Sequence, residues 1–305
     1  MIKEASVIVV GDEVRTAIAA HQPVVALEST IFSNLGLPSP ANAEALELCV
    51  LAIREAGAIP ALTAVLDGVI WAGVPEELYE RVLDCSVKVA ARDLAAAASQ
   101  QFPSGVTTVS ASVVIADRVG IEVFATGGIG GVHRESQLTG DVSADLDAIA
   151  RHQVMVVSAG AKAFLDLPQT LEYLETQSVP VVGWQTNDFP AFYTRSSDLE
   201  VTHRVDDARG AAQFHLARRT LGQGGTLLVV PIPQVAELNR AEIDRAIDES
   251  LEEVQNRGLV GPLVTPHVLA AVEKATNGES VSANLALARH NASVAGQVAA
   301  EISGQ

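Results

Sequence analysis

Short apolar runs alternate with stretches of helical periodicity along most of this 305-residue chain. The runs lack a strict apolar–polar alternation, which is typical of strands that are buried on both faces of a parallel sheet. Strands that alternate with helices favour a sheet with helices packed on both sides. No Pro/Ser-rich linker, composition change or repeat divides the chain. We therefore predict an α/β fold, a three-layer α/β/α single domain over residues 1–305 with a largely parallel central sheet.

The boundaries of the elements follow from the same patterns together with the positions of Gly and Pro. Strands are predicted at residues 24–27, 62–66, 87–89, 123–125, 154–158, 179–183 and 226–230. Helices are predicted at residues 40–57, 76–84, 107–119, 141–151, 168–177 and 206–222, with three more that begin near residues 240, 266 and 282.

The composition excludes several classes of protein. A formal net charge of −17 argues against a surface for nucleic acid or anionic lipid, because both need clustered cations. No apolar run reaches the length of a membrane span, and the first residues lack a signal-peptide cleavage pattern. Cys49 and Cys85 have no metal-binding or redox spacing, and Cys49 fits an apolar helical stripe. We expect a cytoplasmic protein without nucleic-acid or membrane partners.

Lysine is scarce in this chain, and its positions are informative. Of four lysines, Lys3 is near the terminus and Lys274 falls on the polar side of a predicted helix. Lys88 and Lys162 both lie beside apolar runs. Lys162 follows the run at 154–158, where open α/β sheets place their chemistry. An amine without its proton attacks carbonyl carbon, so Lys162 is a candidate nucleophile. The alternative is an ordinary loop lysine.

Other polar groups follow predicted strands in the same way. Glu28 comes directly after the run at 24–27, and a loop with four glycines in five residues, 127–131, follows the run at 123–125 and leads to His133. The loop does not match G-x-G-x-x-G or G-x-x-x-x-G-K-[ST], yet its N–H groups can still bind an anion. The alternative is a tight connection that needs positive φ.

Metal-ligand patterns are weak. The seven histidines show no ligand spacing, and no H-E-x-x-H or G-x-S-x-G occurs. Asp141, Ser143 and Asp145 stand where a helix is predicted to start, so at least one of them is expected to cap it. A hard cation held by one or two carboxylates and waters remains open. Carboxylate, amine and anion site together favour imine chemistry on a phosphorylated sugar or keto compound.

Long motifs resemble one family. They are Glu28-Ser29-Thr30, ATGGIGGVHR at 125–134, DVSADL at 141–146, SAGAK at 158–162 and FPAFYTR at 189–195. These stretches resemble the pseudouridine-5′-phosphate glycosidase family, also called indigoidine synthase A-like, over nearly the whole chain. The chain departs from the family pattern after Lys88, where VAARD stands.

The resemblance implies reversible cleavage of the C–C glycosidic bond of pseudouridine 5′-phosphate to uracil and ribose 5-phosphate. It implies a homotrimer and a divalent cation, usually Mn²⁺. Glu28 would be the acid/base that helps to open the ribose ring, Lys162 would attack C1′ and form a Schiff base, and Asp141 would be the metal ligand, largely through waters. The residues implied in substrate binding are Lys88, the backbone at Val109, Thr126, His133, Ser143, Ala144, Asp145 and Asn284.

Two other functions stay open at this point. A lysine-dependent aldolase or another sugar-phosphate lyase would share Lys162 but would not use uracil. A non-catalytic phosphosugar-binding protein would tolerate the loss of Lys162 and would show no turnover.

Overall fold

The strands form one large sheet in the computed structural model, which describes residues 7–134, 136–259 and 264–304. Within those ranges the strands are β1 Ile8–Val10, β2 Val24–Leu27, β3 Ile59–Leu66, β4 Val69–Ala72, β5 Lys88–Val89, β6 Ser104–Thr107, β7 Val123–Ala125, β8 Met155–Ser158, β9 Val181–Trp184, β10 His203–Val205 and β11 Thr226–Val229.

The helices connect these strands and close the chain. They are α1 Asp12–Ala19, α2 Ala41–Glu55, α3 Tyr79–Leu83, α4 Leu94–Ser99, α5 Val109–Val119, α6 Ser136–Thr139, α7 Ala144–Arg151, α8 Leu167–Thr176, α9 Ala208–Thr220, α10 Arg240–Asn256, α11 Val264–Ala275 and α12 Glu279–Ser303. Short 3-10 helices cover Glu76–Leu78, Ala91–Asp93 and Gln234–Ala236.

The strand order explains how distant segments meet. The order along the sheet is β1-β4-β3-β2-β7-β8-β11-β9-β10, and β6 pairs with β3 and with β5. The strands from β2 to β10 in this order run parallel, whereas β3 is antiparallel to β4 and β6. β7 therefore lies between β2 and β8, and the carboxyl ends of these three strands share one edge.

Two groups of helices pack against the sheet. α12 contacts α2 and α9 as well as β7, β2 and β8, and α5 contacts α7 as well as β2 and β7. Every residue of β2, β8 and β11 is buried. Each buried Val or Leu side chain contributes about 1.5–3 kcal/mol relative to an exposed one. The prediction of α/β layers with a largely parallel sheet is confirmed, whereas the extent of one domain over 1–305 stays a prediction.

Local context moved several predicted boundaries. The helix predicted from Thr107 begins at Val109, because Thr107 ends β6 and its N–H donates to Ser29 Oγ at 2.9 Å. The helix predicted from Asp141 begins at Ala144. Val142 instead pairs with Val132 in an isolated bridge, so the chain is still extended there.

Other predictions needed smaller corrections. The segment predicted as one helix at 76–84 is a 3-10 turn followed by the short α3. The strand predicted at 179–183 lies at Val181–Trp184. Strands β1, β4, β6 and β10 were not predicted. β3 and β4 form a hairpin through Asp67 and Gly68, both with positive φ, and Asp-Gly favours that turn.

No helix in the described part of the chain is long and apolar enough to cross a lipid bilayer.

Candidate active site

The two predicted catalytic residues follow parallel strands that lie on either side of β7. Glu28 follows β2, Thr126 follows β7, and the segment from Ala159 to Lys162 follows β8. Because β7 pairs with both β2 and β8, the three strand ends are adjacent. The sheet thus brings Glu28 and Lys162 to one edge.

The glycine loop runs beside the lysine segment and is hydrogen-bonded to it. Ala159 N–H donates to Gly127 O at 2.9 Å, Ile129 N–H donates to Gly160 O at 3.0 Å, and Lys162 N–H donates to Ile129 O at 3.1 Å. These bonds continue the parallel pairing of β7 and β8 beyond the strands. The backbone of Lys162 is therefore held by the glycine loop, and its side chain is half-buried.

Asp145 fastens the glycine loop to the start of α5. Its Oδ1 accepts the N–H of Ser110 at 2.9 Å, and its Oδ2 accepts the N–H of Gly130 at 2.9 Å. The residue is buried, so these two bonds replace the hydrogen bonds to solvent that an exposed carboxylate would make. Asp145 was predicted to contact substrate, and the structure gives its carboxylate this structural task in addition to any such role.

Gly130 leaves no room for a side chain. A Cβ at this position would lie 2.3 Å from Ser143 Oγ and 2.9 Å from Asp145 Oδ2. We expect Gly130→Ala to push the Asp145 carboxylate off the loop N–H and to destabilise the fold by about 1–3 kcal/mol, measured by urea unfolding.

A matched control separates this clash from the general effect of adding a methyl group. A Cβ at Gly210 in α9 would lie 3.4 Å from its nearest neighbour, an ordinary contact. Gly210→Ala should leave the free energy of unfolding unchanged or raise it by up to about 1 kcal/mol, because Ala favours a helix more than Gly does. Equal stability of both variants would contradict the proposed anchor.

Glu28 is a buried carboxylic acid with a strongly altered pKa. Burial raises the pKa of Glu28 from 4.5 to about 7, and the negative charge of Asp145 acts in the same direction. The charges of Lys162 and Lys88 and a hydrogen bond from Thr126 Oγ1 to Glu28 Oε1 oppose the rise. A carboxyl group with this pKa can give or take a proton near neutral pH.

Lys88 belongs to the same electrostatic cluster. Burial and the charge of Lys162 lower the pKa of Lys88, whereas Asp145 and Glu28 act to raise it. Its side chain nevertheless keeps much exposed surface, so the effect of burial is smaller than for Glu28. The structure therefore gathers Glu28, Lys88, Asp145 and Lys162 within electrostatic reach of one another.

His133 and Asp141 lie together at the far end of the glycine loop. His133 Nδ1 is 3.8 Å from Asp141 Oδ2, and His133 N–H donates to Asp141 O at 3.0 Å. Burial lowers the pKa of His133, Lys162 and Lys88 lower it further, and Asp141 opposes them. His133 thus interacts electrostatically with Lys162 and Lys88 on one side and with Asp141 on the other.

The donor set near Asp141 suits a hard cation that keeps most of its waters. A half-buried carboxylate and an imidazole are ligands that Mn²⁺ accepts. The described residues gather no group of three His, Cys, Asp or Glu side chains that could enclose a metal. The residues present therefore fit a cation that is bound by one or two protein ligands and by waters. They do not fit a site in which protein side chains supply all the ligands.

The other predicted binding residues are dispersed around this edge. Ser143 caps α7, and its Oγ accepts the N–H of Asp145 at 3.2 Å, so the expected capping role is confirmed for Ser143. Ala144 is exposed and can offer only its backbone to a ligand. Val109 is the buried first residue of α5, and Thr108 is its N-cap residue.

Asn284 approaches from α12. It is buried, and its Oδ1 has no hydrogen-bond partner among the described residues. It lines a cavity of about 230 Å³ with Tyr193 and Ser280. A Cβ on Gly127 would lie 3.4 Å from Asn284 Oδ1, so this oxygen lies beside the start of the glycine loop. An unpartnered buried amide oxygen is suited to a ligand that donates N–H.

A larger cleft opens on the side of His133 and Asp141. It encloses about 1080 Å³ and includes Arg92, Phe164 and residues of α10 in its lining. Neither cavity has Glu28, Lys88 or Lys162 in its lining.

A buried network of hydroxyl groups below Glu28 was not predicted. Thr63 Oγ1 lies 2.8 Å from both Thr107 Oγ1 and Ser112 Oγ, and Ser29 Oγ lies 3.1 Å from Thr107 Oγ1. Thr30 Oγ1 donates to Thr107 O at 2.7 Å. The network fixes the backbone that carries Glu28 to β6. The Ser/Thr-rich stretch 107–112 was the available sequence signal.

Asn291 was missed as well. It is fully buried on α12, and its Nδ2 donates to Thr126 O at 2.8 Å and Gly127 O at 3.1 Å. It therefore ties the C-terminal helix to the start of the glycine loop. An amide among small apolar residues was the signal, but its partner lies 165 residues away.

Comparison with known protein families gives one match over most of the chain. The model of the family described as "Indigoidine synthase A like protein" matches residues 13–301. The matched range includes Glu28, the glycine loop, Lys162 and Asn284.

Individual relatives are similar over almost their full length. The pseudouridine-5′-phosphate glycosidase of Caldanaerobacter subterraneus is 45% identical, over 96% of this chain and 96% of its own. That of Myxococcus xanthus is 46% identical, over 95% and 96%. The crystal structure of the prealnumycin C-glycosynthase AlnA in complex with ribulose 5-phosphate has a TM-score of 0.90 and 38% identity, with 98% of each chain covered.

Proposed function

Because this chain belongs to the indigoidine synthase A-like protein family, we propose that it catalyses the reversible cleavage of the C–C glycosidic bond of pseudouridine 5′-phosphate. The products would be uracil and ribose 5-phosphate. The observation that carries the proposal is that Glu28, with its pKa near 7, and Lys162 follow the ends of β2 and β8, the two strands on either side of β7, and interact electrostatically. The names of the full-length relatives support the same substrate.

The proposed chemistry follows from the bond that must break. A C–C glycosidic bond has no leaving-group oxygen, so protonation by one carboxylic acid, as in O-glycosidases, does not release the base. Opening of the ribose ring supplies another route. Glu28 would give its proton to the ring oxygen, and Lys162 Nζ would bond to C1′ as the C1′–O bond breaks.

The second half of the reaction releases uracil. Glu28, now a carboxylate, takes a proton from Nζ of Lys162 and transfers it to the uracil carbon bonded to C1′. The C1′–C bond then breaks, its electron pair stays with uracil, and the nitrogen lone pair of Lys162 forms C1′=N. Water then hydrolyses this Schiff base to ribose 5-phosphate and the free amine. In each step Glu28 gives a proton as the carboxylic acid or accepts one as the carboxylate.

The placement of neighbouring groups supports this sequence of steps. Lys88 and His133 lie near enough to Lys162 to interact electrostatically. The positive charge of Lys88 suits a phosphate, and His133, whose lowered pKa favours the neutral imidazole, can add a hydrogen-bond donor. Gly-loop N–H groups can add neutral donors for the same anion. Asn284 Oδ1 could accept an N–H of the uracil ring, which would satisfy an oxygen that has no partner among the described residues.

The metal belongs to the proposal. Asp141, with His133 as a second candidate ligand, would hold Mn²⁺ or another divalent cation largely through waters. Such a cation supplies positive charge to the phosphate or the open-chain sugar when bound. The homotrimer, the cytoplasmic location and breakdown of the nucleotide as the metabolic direction also stay predictions.

A second candidate is C–C bond formation to another aromatic ring. The similarity to the prealnumycin C-glycosynthase AlnA favours this candidate. It would use the same lysine with a pentose 5-phosphate, and the AlnA structure contains ribulose 5-phosphate, an isomer of ribose 5-phosphate. The two functions would then differ in the acceptor and in the sugar isomer.

One assay separates these functions. Purified protein is incubated with Mn²⁺, ribose 5-phosphate and uracil, and the products are identified by chromatography and mass spectrometry. Formation of pseudouridine 5′-phosphate supports the proposal. Turnover with other aromatic acceptors but not with uracil would favour the C-glycosynthase, aldol products would favour an aldolase, and binding without any product would favour a phosphosugar-binding protein.

A further inference from the structure

We infer that Thr126 is a positioning residue for Glu28: its hydroxyl holds the Glu28 carboxylate and selects the oxygen that stays available to substrate. This inference rests on the proposed function, because it concerns how the proposed acid/base is kept in place. It differs from the role of substrate contact that the sequence suggested for Thr126.

The first support is the direction of the hydrogen bond. Thr126 Oγ1 donates to Glu28 Oε1 between two buried residues, with 5% and 8% of their surfaces exposed. A hydroxyl has one proton to donate. While Thr126 Oγ1 donates this proton to Oε1 in a hydrogen bond, Oε1 is engaged by a fixed donor, and Oε2 is left as the atom that exchanges protons with a ligand.

The second support is that the backbone of Thr126 is held on both sides. Its N–H donates to Val157 O at 3.1 Å, and its carbonyl oxygen accepts Asn291 Nδ2 at 2.8 Å. Thr is β-branched, so a fixed backbone leaves few side-chain rotamers. The direction of the hydroxyl is therefore set by β8 on one side and α12 on the other, before any ligand binds.

The third support is the electrostatic setting of Glu28. The charged groups that face it are Lys162 after β8, Lys88 of β5 and Asp145 of α7. Lys162 and Lys88 favour the carboxylate, and Asp145 together with burial favours the acid. The hydroxyl of Thr126 also favours the carboxylate, because it donates a hydrogen bond to it. Removal of this hydroxyl should therefore raise the pKa of Glu28 further.

The test compares Thr126→Val, which keeps the shape and removes the hydroxyl, with Thr126→Ser, which restores a hydroxyl. The limb of the pH–rate profile that belongs to Glu28 should move to higher pH by about one unit in Thr126→Val and return towards its original position in Thr126→Ser. The shift has this direction whether the acid or the carboxylate is the active form.

A second measurement does not depend on activity. The carboxyl absorption of Glu28 is titrated by infrared spectroscopy and assigned by its absence in Glu28→Gln. Thr226→Val is the matched control, because Thr226 is buried in β11 and its hydroxyl has no partner in the described ranges. It should leave both the profile and the infrared titration unchanged.

The outcomes distinguish this inference from the function itself. An unchanged Glu28 titration in Thr126→Val, with turnover retained, would overturn the positioning role and leave the proposed function standing. A titration that moves in Thr126→Val while the unaltered protein forms no product would retain the role of Thr126 and overturn the function. Equal shifts in Thr126→Val and Thr126→Ser would also contradict the inference, because the hydroxyl would then not be the cause.

Discussion

Lys162→Met is expected to abolish turnover and the reducible sugar adduct while leaving the fold intact. Removal of a nucleophile costs on the order of 10⁴-fold or more in kcat, because no other group forms the covalent bond. Lys162 is half-buried at the end of β8, and Met has nearly the same length and keeps the apolar contacts of the stem. The loss should therefore appear in kcat and not in thermal stability.

The adduct can be located directly. Borohydride reduction in the presence of ribose 5-phosphate and Mn²⁺ converts a Schiff base into a stable amine, and peptide mass mapping then identifies the modified lysine. With four lysines in the chain, the map is simple to interpret. We expect the adduct at Lys162 alone.

The control variant is Lys274→Met. Lys274 is exposed on α11, in the last turn of that helix. It should retain full turnover and full adduct formation. An adduct distributed over all lysines, or an unchanged adduct yield in Lys162→Met, would contradict a Schiff-base mechanism at Lys162.

Glu28→Gln is expected to have two opposite effects, a large loss of activity and a gain of stability above neutral pH. Loss of a positioned acid/base lowers kcat by about 10²–10⁴-fold. Gln has the same shape and its side-chain oxygen can still accept the hydroxyl of Thr126, so the site should stay assembled. Activity falls because the amide has no proton to exchange.

The stability effect follows from linkage. The pKa of Glu28 is about 7 in the folded protein and 4.5 ordinarily, so between these values the folded protein binds a proton that the unfolded chain releases. The stability contributed by this group is complete below pH 4.5 and is lost as pH rises through 7. The difference corresponds to roughly 3 kcal/mol by pH 8, as an upper bound for one group.

Urea unfolding at several pH values measures this effect. Glu28→Gln should be more stable than the unaltered protein at pH 8, and the difference should shrink as pH falls towards 4.5. Glu47→Gln, at an exposed position of α2, is the matched control and should show no such pH dependence. Equal stability of Glu28→Gln and the unaltered protein at pH 8 would contradict a buried carboxylate at this position.

Other features of the site could not be found without the strand order. The hydrogen bond between Thr126 and Glu28 joins residues 98 positions apart, and the hydroxyl network joins Ser29 and Thr63 to Thr107. Local periodicity contains no information on which strand lies beside which. The boundary at Asp141 was wrong for a similar reason, because the bridge between Val142 and Val132 is a contact between segments.

The sequence by itself determined the fold class and predicted Glu28 and Lys162 as the two reactive residues. A continuous apolar run such as Val24–Leu27 predicts a strand buried on both faces, as the structure has it, and the polar residue that follows it is then expected at an edge of the sheet. The same logic holds for Lys162 after β8. Only the tertiary structure decided the state of these groups, because the pKa of Glu28 depends on burial and on Lys162, Thr126, Asp145 and Lys88, which separate elements bring to it. The burial and the electrostatic potential at Glu28 are summed over its neighbours in space, and the strand order determines which residues those neighbours are.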